Sequence, residues 1–168
     1  MTHFNYIIWL FPLLFVFHDA EELIGMGRWI ENNKEFIKNK VPKFYDFYQY
    51  HSNKGMAIAI LEELIGCLAI CFWVMLSNDE TALLFWWGTF CAFTIHLLVH
   101  IGQCVFMRKY VPCVATSIIC LPISIYILYK TAIQFDFEGW KLVVYSIIGA
   151  IVVAVNLIFA LWLMRKLK

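Results

Sequence analysis

The chain has 168 residues, of which 62% are hydrophobic, 18% aromatic and only 15% charged, with a formal charge of +1 and a mean hydropathy of +0.75. Soluble domains hold roughly 45–50% apolar residues, so this composition excludes an ordinary water-soluble fold and predicts an integral membrane protein. The thirteen Lys and Arg form no long block, which gives no support to nucleic-acid binding. Cys67, Cys71, Cys91, Cys104, Cys113 and Cys120 all fall inside or at the ends of apolar runs, where they read as reduced packing residues rather than a disulfide framework.

A transmembrane helix needs about 20 apolar residues. On that measure the chain divides into five predicted spans, over residues 4–26, 55–76, 82–106, 111–129 and 140–163, in a single all-α transmembrane domain covering 1–168. The first run lacks the basic flank and small-residue cleavage site of a signal peptide and carries three carboxylates near its end, so it reads as a span. The connection 28–54 is too polar to cross. Its Trp29, Ile30, Phe36, Ile37, Val41, Phe44, Phe47 and Tyr48 alternate with lysines at near-helical spacing, which predicts an interfacial segment on the inner leaflet, split in two by Pro42. A solvated loop whose aromatics anchor in the headgroups is the alternative.

Arg28, Lys34, Lys38, Lys40, Lys43, Lys54, Arg108, Lys109, Arg165, Lys166 and Lys168 fall on one side of this arrangement, against only Lys130 and Lys141 on the other. The positive-inside rule therefore predicts a cell-membrane protein with its N-terminus outside and its C-terminus in the cytoplasm.

Asp19, Glu21 and Glu22 in the first span and Glu62 and Glu63 in the second are carboxylates in apolar surroundings. At about 2.5–3.5 kcal/mol each, five unpaired acids would cost about 12 kcal/mol or more. No Lys or Arg lies in the interior of any of the five runs, Lys141 standing at the very start of the last, so histidines, protons or bound cations must neutralise them. His18, His96 and His100 are the intramembrane histidines, whereas His3 and His51 lie near span ends. The pairs His18 with Glu21 and Glu22, and His96 with His100, are spaced at i+3 or i+4, so each set faces one point from one helix. Counted from the basic residues at 1.5 Å per residue, these groups and Glu62 and Glu63 fall roughly 9–18 Å from the cytoplasmic charges. Thr116, Ser117 and Asn156 join that layer, and the site is expected to open toward the cytoplasm.

The sequence thus predicts a divalent transition-metal site of His18, Glu21, Glu22, Glu63, His96 and His100, holding one or two ions of zinc, iron or manganese. Six ligands suit two ions sharing a carboxylate, and a single zinc with a spare Glu as base is the alternative. Asp19, about 100° around the helix from His18, is expected to face a neighbouring helix. Gln103 and Cys104, at i+3 and i+4 from His100, are expected beside the ligands rather than among them. A purely structural layer, in which protonated glutamates hydrogen-bond the histidines, is the competing explanation. Glu21-Glu22-Leu23-Ile24-Gly25 recurs as Glu62-Glu63-Leu64-Ile65-Gly66, a short pseudo-symmetric pair whose glycines are expected to let helices approach closely.

The run His18-Asp19-Ala20-Glu21-Glu22 followed by Trp29 resembles the HxxEE membrane-protein family. The Glu62-Glu63 pair, His96 with His100, and Arg108-Lys109-Tyr110-Val111-Pro112 before Thr116 and Pro122 are similar to its later landmarks. Cys113 stands where that pattern has glycine. The resemblance implies the same six-residue site, with Glu62 as a further ligand or bridge, and implies no particular reaction. The expected function is a metal-dependent enzyme acting on a lipid or other membrane-dissolved small molecule, hydrolysis first and di-metal redox chemistry second, with Glu21 or Glu62 taking the proton. The alternative is a metal-ion or proton transporter, or a non-catalytic membrane partner of the immunity or resistance type.

Overall fold

The computed structural model describes residues 6–42, 45, 52–77 and 79–166. Lys43, Phe44, Phe47, Tyr48, His3, His51 and Lys168 lie outside the described residues. The secondary structure is helical: α1 (Leu10–Asn32), α2 (Lys34–Lys40), α3 (Asn53–Ser77), α4 (Glu80–Met107), α5 (Val114–Gln134) and α6 (Gly139–Lys166). The helices α3, α4, α5 and α6 are long and apolar enough to cross a membrane. Helix α1 is as long, but Asp19, Glu21 and Glu22 interrupt its apolar run.

Large apolar side chains point outward along these helices, as with Ile24 at 81%, Leu76 at 82% and Val105 at 73% exposure. Such a surface suits lipid and is costly in water. The inner face is aromatic. Phe11 packs on Phe90 and Phe93 at ring-centroid distances of 5.0 and 5.8 Å, and the Trp86 indole N–H donates to the Ile8 carbonyl at 3.3 Å.

The contacts fix the directions of the helices. Ile8 meets Trp86, Phe11 meets Phe90 and Phe15 meets Phe93, so α1 and α4 run parallel. Cys71 meets Ile8 while Glu63 lies within electrostatic reach of Asp19, so α3 runs antiparallel to α1. Gly55 against Met164 and Glu62 against Asn156 make α6 antiparallel to α3. Trp87 meets Leu128 and His18 meets Thr116, so α5 runs antiparallel to α4 and α1, and the five long helices alternate in direction. Helices α4 and α6 cross at Gly88 and Gly149, where a Cβ on either glycine would collide with the backbone of the other helix.

Charge separates between the two ends. Lys109 donates to Asn33, Lys40 lies over the Phe106 ring, and Met164 reaches Gly55, which gathers the basic connections at one end. At the other, Lys141 pairs with Glu80 at 2.8 Å and Glu138 at 3.2 Å.

Four expectations need correction. Helix α1 runs on to Asn32, past the expected end of the first span at 26, because Trp29 and Ile30 continue its buried face. Residues 28–40 therefore do not form a separate surface strip: Trp29, Ile30 and Ile37 pack with Met26, Met107, Val111 and Cys113. Helix α5 begins at Val114, not 111, because Pro112 and the left-handed Cys113 make the turn. Of the two paired glycines, Gly25 does permit a close approach, to Pro112, but nothing lies within 4 Å of a Cβ on Gly66. Gly66 opens space instead.

Candidate metal centre

Helix α1 carries His18, Asp19, Glu21 and Glu22 within little more than one turn, and α4 carries His96 and His100 four residues apart, so their imidazoles share one face and meet edge to face. The rings of His18, His96 and His100 form a triangle with centroid separations of 5.6, 5.0 and 4.4 Å. Two groups of donor atoms converge within 4.8 Å: His18 with His100 and Cys113, and Glu22 with His96 and His100. Among the described residues no Lys or Arg salt bridge reaches them.

The hydrogen bonds assign the protons. Glu21 accepts from the Tyr110 hydroxyl at 2.5 Å on Oε1, and from the Thr116 amide at 2.8 Å and hydroxyl at 2.7 Å on Oε2. A hydroxyl has a single proton. With that proton directed at Glu21, Thr116 Oγ1 presents a lone pair to His18 Nδ1 at 3.1 Å, so Nδ1 carries the hydrogen. The His18 ring nitrogen left with a lone pair is Nε2, which is buried and has no hydrogen-bond partner. His100 is set in the same way. Its Nδ1 donates to Gln103 Oε1 at 3.2 Å, which leaves Nε2 as the acceptor nitrogen, 2.8 Å from His96 Nε2. Orienting partners of this kind are the usual companions of ligating histidines.

Cys113 was not among the residues singled out as ligands. Its side chain is fully buried and its backbone sits at φ 81°, the left-handed region that costs a non-glycine residue about 1–3 kcal/mol and persists where the surroundings enforce it. The one signal in the sequence is a cysteine directly after Pro112, in the run before Thr116. Burial, with Glu22 and Glu21 beside it, pushes the Cys113 thiol up, so a cation is needed to draw off its proton.

The remaining predicted residues separate. Glu21 stands behind Thr116 with both oxygens occupied. Glu62 accepts from Asn156 Nδ2 at 3.2 Å. Glu63 lies within electrostatic reach of Glu22 and Glu62, and Asp19 within reach of Glu22 and Glu63. Asp19 Oδ2 and Ser117 Oγ are buried without partners. Gln103 holds His100, and Cys104 donates to the Lys109 carbonyl in the turn.

A cavity of about 130 Å³ reaches the cluster through His96. Phe11, Phe15, Cys67 and Val153 are among its walls, and Asp19 and Glu63 are its carboxylates. The basic end, expected to be open, is instead covered by the turn: Val111, Pro112 and Cys113 are fully buried there, packed with Met26 and Trp29. The Trp29 indole N–H donates to the Tyr110 carbonyl at 2.6 Å and ties this cover down.

These features define a membrane-type helical bundle with a buried, histidine-rich cluster of potential metal donors. Residues 9–127 match the family model described as "Protein of unknown function with HXXEE motif", and the chain belongs to this HXXEE family, with His18, Glu21 and Glu22 as the defining positions. No curated protein and no solved structure matches the chain.

Proposed function

We propose that the protein is a multi-pass membrane enzyme, oriented with its N-terminus outside and its C-terminus in the cytoplasm, that holds one divalent transition ion on His18, His96, His100, Glu22 and Cys113. Its reaction is hydrolysis of a membrane-dissolved substrate admitted to the cavity beside His96. The observation that carries this reading is His18 Nε2: a lone pair fixed by Thr116, buried, and without a partner beside His100 and Cys113. A dry lone pair of this kind costs free energy unless something binds it.

Imidazole, carboxylate and thiol donors suit zinc or iron better than manganese. An ion held there would supply Lewis-acid polarisation and a water of lowered pKa. The chain's own part is to aim the ligands: Thr116 and Glu21 hold His18, and Gln103 holds His100. The apolar walls of the cavity exclude bulk water, and His96, common to cluster and cavity, brings substrate alongside.

Metal content of protein purified without chelator tests the reading. Elemental mass spectrometry should find one zinc or iron per chain, lost in His100→Ala and Glu22→Gln and kept in Asp136→Asn. A wild-type protein that is metal-free yet as stable as a metal-loaded one would overturn it. So would a Glu22→Gln variant equal to wild type in metal content and thermal stability, since an isosteric amide that merely replaces a protonated glutamate costs at most about 1 kcal/mol.

A further inference from the structure

The cavity has a composition of its own. Phe93 touches Phe11 and Phe15 at ring-centroid distances of 5.8 and 6.2 Å, and all three rings line the space. Two carboxylates, Asp19 and Glu63, face the same space, and among the described residues no Lys or Arg lines it. Asp19 is 95% buried by its 5% exposure, and its Oδ2 has no hydrogen-bond partner. Ile70, Val152, Val153 and Leu157 give it an aliphatic wall, Thr89, His96 and Asn156 add polar groups, and the absent side chain of Gly66 widens the space.

Aromatic faces attract organic cations through the ring quadrupole, most strongly where water is excluded. Buried carboxylates without a basic partner call for a positive charge from outside the chain. Inorganic cations satisfy the acids but gain little from aliphatic walls. The volume of about 130 Å³ is close to the roughly 150 Å³ of an apolar cavity that holds benzene, which sets the guest at about five or six heavy atoms, the size of tetramethylammonium.

We propose that the cavity binds an apolar ammonium compound, its cationic nitrogen between Asp19, Glu63 and the Phe11–Phe15–Phe93 rings and its apolar part along Val153 and Leu157. This deepens the enzymatic reading by naming the class of molecule admitted beside His96. Its test does not require the metal.

Equilibrium dialysis of tetramethylammonium against the full chain in a non-ionic detergent, with metal content measured on the same samples, tests the proposal. Saturable binding to one site per chain is expected, weakened at least tenfold in Asp19→Asn and in Glu63→Gln. Val153→Phe, which fills the cavity and leaves both acids in place, should weaken it similarly. Neopentane, the neutral molecule of the same shape, should fail to compete. The proposal is overturned by absent or non-saturable binding, by equal competition from neopentane, by undiminished binding in both carboxylate variants, or by displacement with millimolar calcium as effective as with the ammonium. Metal present without ammonium binding would remove this proposal alone, and ammonium binding to a metal-free, fully stable protein would remove the metal reading alone.

Discussion

Thr116→Val isolates the contact on which the metal reading depends. Valine keeps the shape of threonine but removes the hydroxyl that donates to Glu21 at 2.7 Å and accepts from His18 Nδ1 at 3.1 Å. Glu21 keeps the Tyr110 hydroxyl and the Thr116 amide, whereas His18, fully buried, is left with an N–H that has no acceptor. A buried donor stripped of its partner costs about 1–3 kcal/mol. The tautomer of His18 is then free, and its lone pair no longer points into the cluster by default. Loss of an orienting partner weakens metal binding by about 10–100-fold, or about 1.4–2.7 kcal/mol. Zinc affinity measured by competition with a chromogenic chelator should fall by that factor in the valine variant and recover in Thr116→Ser, which restores a hydroxyl. Zinc affinity within twofold of wild type in Thr116→Val, or a serine variant as weak as valine, would refute the assignment of Nε2 as the ligating atom.

Gly149→Val should separate α4 from α6, since its Cβ would meet the Gly88 backbone; a loss of about 3 kcal/mol or more in denaturant unfolding is expected, against little effect for valine at Gly102, which has open space around it. The bond to Glu21 pushes the Tyr110 phenol up to about 12, so its stabilisation is present in full below the ordinary tyrosine value near 10 and is lost as the pH rises through about 12. The difference in melting temperature between wild type and Tyr110→Phe should therefore hold steady up to pH of about 10 and close by about 12; a gap unchanged over that window would contradict the bond. For sidedness, cysteines at the exposed positions Lys38 and Ser77 should label from opposite faces of the membrane, position 77 from outside intact cells; outside labelling of position 38 would reverse the orientation.

Hydropathy and charge in the sequence were enough to place the four apolar helices to within a few residues, because about 20 consecutive apolar residues have one economical use and basic residues gather at one end for a common reason. Helical spacing likewise grouped His18 with Glu22 and His96 with His100, since i+3 and i+4 neighbours share a face whatever packs against it. Spacing says nothing about rotation around the helix axis or about which residue stands opposite. Tertiary packing decided that Glu21 faces Tyr110 and Thr116 rather than the cluster, and that Glu62 meets Asn156. It also decided that the turn after α4 folds back to seat Cys113 beside His18 and His100. A proton is assigned to one nitrogen of His18 by a hydroxyl 98 positions away, and such a contact exists only once the helices have been brought together.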